Sequence, residues 1–181
     1  ELLHLPNYLT AKADPAVLRP GKMGKLVVTL KSNQLHGLGL TQSSVYLSRF
    51  AGDRVNKDNE LGISVTLLPN FTAAELNSPQ APLADMATSI DLGAFNGKSK
   101  LKGTVVLTNK GQSPLVINML QVYNPGISVA LSKTTLRPGE STDMKIVVSS
   151  AVERFRGSRK VLLITNDPRH PKISLDVITK K

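Results

Sequence analysis

The chain contains 181 residues, of which 40% are hydrophobic, with a formal net charge of +10 and no cysteine. Disulfide bonds, thiolate metal sites and cysteine nucleophiles are therefore excluded. No apolar stretch approaches the roughly 20 residues that a membrane-spanning helix needs, and four Phe, three Tyr and no Trp are too few for a base-stacking surface on single-stranded nucleic acid.

Alternating apolar and polar residues predict β-strands along the first third of the chain. The runs cover 25–32, 41–50 and 61–68, and turn-forming residues such as Pro20-Gly21 separate them. An alternation with period two is typical of a half-buried strand, because successive side chains point to opposite faces of a sheet.

Residues 69–86 interrupt this rhythm with three prolines in a polar, alanine-rich stretch. Within it, Thr72-Ala73-Ala74-Glu75 fits a capping box and predicts one short helical turn. We interpret this region as an interdomain linker, so the predicted organisation is a first module at 1–70, a linker at 71–86 and a second module at 87–181.

Strand signals return along the second module, and turns follow every 8 to 12 residues. The predicted strands cover 87–95, 100–108, 115–122, 127–131, 143–150, 159–165 and 172–179. Seven short strands at this spacing are typical of an antiparallel β-sandwich of immunoglobulin type.

The two modules share a repeated turn. The sequence Leu-Arg-Pro-Gly at 18–21 returns at 136–139, 118 residues later, and an alternating run follows each copy. Self-similarity of this kind indicates duplication, so we expect an all-β protein made of tandem immunoglobulin-like β-sandwiches.

Aligning the copies on this turn places Glu1 near Met119, so the first module is expected to lack its N-terminal strands. Such a module has an open sheet edge. We expect that either residues upstream of Glu1 or a partner supplies the missing strands.

Three short segments of the second module carry further patterns: TNKGQSPLVI at 108–117, LRPGE at 136–140, and TNDP at 165–168 with Pro171 after it. They resemble the N-x-G-x-x-P-L-x-I, L-x-P-G-E and T-N-D-P-x-x-P segments of the DUF1573 family of bacterial proteins, common in Bacteroidetes and related to abnormal-spindle/hydin and pilus-chaperone-like modules. The resemblance implies an immunoglobulin-like fold, export to the cell envelope and no established catalytic activity. Many family members carry a Cys-x-Cys pair before the Pro-Gly turn, and this chain has none.

The residues do not indicate catalysis, a cofactor or a metal. No two of His4, His36 and His170 have a metal-ligand spacing, and no Gly-x-Ser-x-Gly elbow is present. The acidic loop 52–60 also contains Arg54 and Lys57, which favours a solvated hairpin loop over a calcium site. We therefore predict no catalytic, cofactor-binding or metal residues, and no enzyme activity.

The C-terminal part of the chain is basic, with 14 basic and 5 acidic side chains in residues 99–181. Its densest cluster, Arg154, Arg156, Arg159 and Lys160, is a candidate anion-binding site. The alternative is a solvated end of the sandwich whose charges discourage edge-to-edge pairing.

The function expected from these patterns is that of a non-catalytic structural or protein-interaction module of the bacterial cell envelope. The expected partners are other envelope proteins or surface polymers rather than a specific nucleic acid. Two alternatives stay open: glycan or polyanion binding by the basic second module, and a strand-accepting, pilus-chaperone-like role. The expected location is the periplasm or cell surface of a Gram-negative bacterium, with lipid anchoring through residues upstream of Glu1 as one possibility.

Overall fold

A computed structural model of the chain describes residues 1–50, 52–154 and 158–180, and these residues fold mainly as β-strands. They separate into two compact units, unit 1 (Glu1–Leu67) and unit 2 (Leu68–Lys181). One α-helical turn and two 3-10 turns accompany the strands: α1 (Ala73–Leu76), Ser32–Gln34 and Ser150–Arg154.

The described residues of unit 1 form five strands in two separate sheets. The strands are β1 (Leu2–Leu3), β2 (Leu9–Asp14), β3 (Lys25–Leu30), β4 (Gly39–Leu47) and β5 (Glu60–Leu67). Their sheet orders are β1-β4-β5 and β2-β3, and every pairing is antiparallel. Among the described residues of this unit, the apolar side chains that are buried are Leu9 and Val45, so its core is small.

The described residues of unit 2 form nine strands in a four-stranded and a five-stranded sheet. The strands are β6 (Ala84–Asp85), β7 (Ser89–Ala94), β8 (Lys100–Asn109), β9 (Leu115–Val122), β10 (Ile127–Leu131), β11 (Thr135–Leu136), β12 (Ser141–Ser149), β13 (Lys160–Thr165) and β14 (Lys172–Lys180). The sheet orders are β10-β12-β8-β6 and β11-β9-β13-β14-β7. Among the described strands of this unit, β14 and β7 pair in parallel and the other pairs are antiparallel.

The core of unit 2 is built from alternate residues of both sheets. Met144, Ile146 and Val148 on β12 are fully buried, and they belong to one apolar cluster with Leu163 on β13 and Leu175 on β14. Two sheets that enclose one apolar layer form a β-sandwich, which confirms the predicted all-β, immunoglobulin-like fold.

The predicted strands agree with the observed ones apart from end residues, but β1, β2, β6 and β11 were not predicted. The predicted helical turn at Thr72 is confirmed: the Thr72 backbone N–H donates to Glu75 Oε2 at 2.8 Å, and the Glu75 backbone N–H donates to Thr72 Oγ1 at 3.3 Å. The first of these bonds is the main cause that holds the pKa of Glu75 below its ordinary value. The predicted domain boundaries stay a prediction; residues 71–86 contain α1 and β6, both in unit 2.

The two copies of the repeat also share the register in which their strands pair. Leu9 on β2 pairs with Leu30 on β3, and the positions 118 residues later, Ile127 on β10 and Val148 on β12, pair in the same way. The order β1-β4-β5 likewise matches β9-β13-β14 in unit 2. In the part of unit 1 that the structure describes, no strand takes the place of β8 beside β3 or of β7 beside β5.

Candidate functional site

The three histidines lie in separate surroundings. The His4 ring packs edge-on against Tyr46, with 5.4 Å between ring centres, and His36 is exposed. His170 Nδ1 lies 3.1 Å from Asp167 Oδ2. Within residues 1–50, 52–154 and 158–180, no group of three His, Asp or Glu side chains could hold a metal ion.

The Asp167–His170 pair is part of a structural turn. The Asp167 carboxylate is fully buried and accepts backbone hydrogen bonds from Ala84 at 2.9 Å and from Arg169 at 2.8 Å. A carboxylate occupied by two backbone donors serves to fix the chain around it. This arrangement accounts for the Asp in the Thr-Asn-Asp-Pro segment without a catalytic role.

Asn109 has a similar role in the turn after β8. Its buried side-chain amide donates to the carbonyls of Ser113 at 2.8 Å and Leu136 at 3.0 Å. Its Oδ1 accepts from the backbone N–H groups of Gly111 at 2.9 Å and Leu83 at 3.3 Å. One side chain therefore holds three separate chain segments together.

Asn166 connects the last turn to the start of β9. Its Oδ1 accepts from the Val116 backbone N–H at 2.7 Å, and its Nδ2 donates to the Pro114 carbonyl at 3.1 Å. The three segments that resemble DUF1573 thus supply hydrogen bonds between turns of unit 2.

In unit 1, the acidic loop after β4 is stabilised by an ion pair. Asp53 receives hydrogen bonds from Arg49 through the backbone N–H at 3.0 Å, Nε at 2.8 Å and Nη2 at 3.1 Å. The guanidinium lowers the pKa of Asp53 to about 2. Both carboxylate oxygens are occupied, which favours the solvated hairpin loop over the calcium site.

The predicted anion cluster is only partly described, because Arg156 lies outside the described residues. Arg154 is exposed at the end of a 3-10 turn. Arg159 donates to Thr179 Oγ1, and Lys160 Nζ lies 3.1 Å from Asp176 Oδ1. Two of the four cations therefore bond to β14, and the anion site stays a prediction.

A second basic group, the lysine row, lies on the outer face of the four-stranded sheet. It consists of Lys100 and Lys102 on β8 and Lys145 on β12, all exposed. Lys145 pairs across the strands with Thr104, so Lys102 is its diagonal neighbour. Within the described part of the chain these three lysines have no ion-pair partner, whereas Lys110, Lys133 and Lys160 are each paired with a carboxylate.

An open depression of about 320 Å³ lies beside α1 in unit 2. Its polar lining includes Glu75, Ser113 and Asn166, each of which is already hydrogen-bonded within the protein. It offers no set of free, converging polar groups of the kind that an active site needs.

The strongest candidate surface is the uncovered edge of β3. Leu26, Val28 and Leu30 correspond to Met144, Ile146 and Val148, which are fully buried in unit 2. Val28 is 38% exposed and Leu30 is 40% exposed. Val28 and Leu30 are therefore exposed at strand positions that are core in unit 2, because β8 pairs with β12 whereas no described strand pairs with β3 on this side.

The backbone of β3 is also unpaired on this side. The Lys31 backbone N–H donates to the Tyr8 carbonyl at 2.8 Å, so the backbone N–H and C=O groups of Lys31 face β2. Because these groups alternate along an antiparallel strand, those of Leu26, Val28 and Leu30 face the opposite, unpaired side. We call this backbone edge and its three inward side chains the β3 edge. Alignment of the two copies of the repeat could locate the β3 edge, but the exposure of its side chains could be assigned only from the structure.

Comparison with known proteins agrees with the sandwich architecture. The model of the HYDIN/CFA65/VesB-like, Ig-like domain family matches residues 82–178, more than half of the chain. The chain belongs to this family. The predicted relation to hydin-like modules is thereby confirmed, whereas the closer resemblance to DUF1573 stays a prediction.

The fold is shared with a solved structure. A protein of unknown function from Porphyromonas gingivalis W83 is similar at a TM-score of 0.67 and 20% identity, over 99% of this chain and 82% of that one. The VesB protease of Vibrio cholerae is more distant, at a TM-score of 0.46 and 14% identity over 89% of this chain and 46% of that chain. The secreted serine protease VesC of Vibrio cholerae has a TM-score of 0.37 and 14% identity over 67% of this chain and 27% of that chain. The comparison with curated proteins finds no match.

Proposed function

We propose that the protein is a non-catalytic structural or protein-interaction module of the bacterial cell envelope and that a strand covers the β3 edge of unit 1, supplied either by residues upstream of Glu1 or by a partner protein. The observation that carries the proposal is the exposure of Val28 and Leu30 beside an unpaired backbone edge. Exposed apolar residues next to an unpaired strand form a surface that proteins cover, because both features favour association.

The absence of catalysis is supported by how the polar groups are used. Asp167, Asn109 and Asn166 hydrogen-bond to backbone groups in unit 2, and Asp53 binds Arg49 in unit 1. The VesB and VesC neighbours are proteases, but the similarity to them is too low to transfer an activity to this chain.

The envelope location is supported by the resemblance of the three turn segments to DUF1573. The Porphyromonas neighbour is compatible with a protein of this class, although its likeness extends to the fold alone. Of the helices in the described chain, none is both long and apolar enough to cross a membrane.

Site-specific photo-crosslinking in exporting cells tests the proposal. A photoreactive amino acid is placed at Val28 on the β3 edge, and at the exposed Asn118 on β9 of unit 2 as a control. We expect crosslinking from position 28 alone, either to a partner protein in a product of higher mass or, within the natural protein, to residues that precede Glu1. Equal crosslinking from both positions, or none from position 28, would contradict the proposal.

Polyanion binding by unit 2 is a second candidate, which the lysine row favours. Three exposed lysines on one face, without acidic partners among the described residues, form a surface suited to an acidic polymer. The cluster around Arg154 and Arg159 is the competing location for the same activity.

Retention on heparin as a function of salt compares the two locations. The double variants Lys102→Glu, Lys145→Glu and Arg154→Glu, Arg159→Glu change the net charge equally. If the lysine row binds, the first variant elutes at clearly lower salt than the second. Equal elution of both variants would indicate attraction by net charge alone.

A further inference from the structure

We infer that the lysine row of unit 2 binds a linear acidic polysaccharide, which lies along β8 and places one anionic group beside each of the three lysines. This inference rests on the second candidate function and specifies the ligand and its position. Its observations are the spacing of the three lysines, their lack of acidic partners and the hydroxyl groups beside them.

The three lysines follow one line along the outer face of the sheet. On β8, Lys100 and Lys102 are two residues apart, and the next outward position, Thr104, is opposite Lys145 of β12. Since a strand rises about 3.3 Å per residue, side chains on one face repeat at intervals of about 7 Å. The row is therefore about 13 Å long, which fits a chain molecule with several charges rather than a single small anion.

Protection of a sheet edge does not account for the whole row. β8 is an edge strand at Lys100 and Lys102, because β6 pairs with it at Thr108 and Asn109 and no other described strand lies on that side. Lysines on an edge discourage pairing with another sheet. Lys145, however, lies on β12, which β10 and β8 flank on both sides. A lysine inside the sheet protects no edge, so its charge next to Lys102 favours a ligand.

The charges around the row give it a direction. Neighbouring like charges on a sheet repel each other, and other lysines of unit 2, such as Lys110 and Lys160, are paired with carboxylates. The exposed Asp143 lies two residues before Lys145 on β12 and borders the row at one end. Lys98, exposed in the turn before β8, adds positive charge beyond the other end. We therefore expect the polymer to extend past Lys98 and to end before Asp143.

The other side chains of this face favour a polysaccharide over other polyanions. Thr104 and Ser128 are exposed on the same face, and neither hydroxyl group hydrogen-bonds to another described residue. Free hydroxyl groups can both donate to and accept from the hydroxyl groups of a sugar. β8 and β12 contain no aromatic residue on which a nucleic-acid base could stack. A membrane surface is broad, whereas these charges follow a single line.

Heparin oligosaccharides of defined length test the inference with the full chain. A disaccharide is shorter than the row, whereas a hexasaccharide covers all three lysines. We expect the hexasaccharide to bind about ten-fold more tightly than the disaccharide in calorimetric titrations at low salt, because the three cations then act together. An oligogalacturonate of the same length carries carboxylates without sulfates, so its affinity shows which acid the row prefers.

A matched pair of double variants locates the binding. Lys102→Gln with Lys145→Gln removes two charges from the row, and Arg169→Gln with Lys172→Gln removes two exposed charges near the turn between β13 and β14. We expect the row variant to bind the hexasaccharide about ten-fold more weakly and the control to stay within about two-fold of the unsubstituted chain. The slope of log affinity against log salt should fall by about two in the row variant alone. An unchanged far-ultraviolet spectrum shows that each variant is folded.

Several outcomes would overturn the inference. They are an equal loss of affinity in the two double variants, equal affinity for the disaccharide and the hexasaccharide, and tighter binding of a single-stranded oligonucleotide, an oligoglutamate peptide or an anionic phospholipid vesicle than of the hexasaccharide. If heparin retention depends on Arg154 and Arg159 instead, unit 2 still binds polyanions and the lysine row is not the site. If the unsubstituted chain is not retained on heparin at low salt, the second candidate function is itself wrong.

Discussion

Asp167 accepts a hydrogen bond from the backbone N–H of Ala84 at 2.9 Å, although 83 residues separate them in sequence. Asp167 lies in the turn between β13 and β14, and Ala84 begins β6 at the edge of the other sheet. The bond therefore joins the two sheets of unit 2 at one end of the sandwich. A short edge strand such as β6 depends on contacts of this kind, because it has only two residues with which to pair.

Replacing this carboxylate should destabilise unit 2. In Asp167→Ala, the N–H groups of Ala84 and Arg169 lose their acceptor, and a buried group without a partner costs about 1–3 kcal/mol. We expect the free energy of unfolding of unit 2 to fall by that amount, as measured by urea-dependent hydrogen exchange of the β13 amides. Asp143→Ala is the control, since Asp143 is exposed on β12, and a comparable loss there would show that the effect is one of net charge.

A larger loss is expected at Asn109. Asn109→Ala removes two side-chain donors and one acceptor that together bind four backbone groups. We expect a destabilisation of about 3 kcal/mol, with the turn at 109–114 exchanging its amides fastest. Gln112→Ala, in the same turn but exposed, should change the stability by less than about 0.5 kcal/mol. Equal effects of the two substitutions would contradict the role assigned to Asn109.

The strands that could be predicted from sequence are those in which one face is buried. Buried residues recur at alternate positions along most of β8 and along β12, so period two identifies these strands. β6 and β11 have two residues each, too few for any period. The period-two pattern does not identify β2. Its inner face carries Leu9 followed by two alanines, and the contrast in hydropathy between alanine and its polar neighbours is weak.

The candidate surface could be predicted only in outline. The 118-residue offset predicts that the first module lacks strands, and the structure adds that β3 is the strand left uncovered. The segments that contain Asn109 and Asp167 resemble family patterns in the sequence. The residues to which these two side chains hydrogen-bond, Leu136 and Ala84, lie 27 and 83 residues away. Contacts over such distances depend on the sheet arrangement, which local sequence does not encode.

The glycine in the turn after β8 should not tolerate a side chain. A Cβ at Gly111 would lie 2.4 Å from the Ala81 carbonyl oxygen and 2.4 Å from the Leu83 nitrogen. These are backbone atoms, and Leu83 is held in place by bonds to Asn109 and Lys110. We therefore expect Gly111→Ala to destabilise unit 2 by about 2 kcal/mol or more.

The control for this substitution is Gly62→Ala on β5, where a Cβ would meet nothing within 4 Å. It should be neutral or slightly stabilising in urea denaturation, because alanine restricts the unfolded chain more than glycine does. Should Gly111→Ala prove as well tolerated as Gly62→Ala, the segment 81–83 would not pack against the turn as described.

The ion pair of unit 1 predicts a pH dependence with a defined sign. Arg49 lowers the pKa of Asp53 from 3.8 to about 2 through its hydrogen bonds, so the ionised carboxylate favours the folded state. This contribution is complete above about pH 4 and is lost as the pH falls toward 2.

We expect the carboxyl ¹³C shift of Asp53 to titrate near pH 2 in the unsubstituted chain. Arg49→Gln should return the titration toward pH 3.8, whereas Arg54→Gln should leave it near 2, because the Arg54 contribution to Asp53 comes from its backbone. A midpoint near 3.8 in the unsubstituted chain would show that the pair does not form in solution.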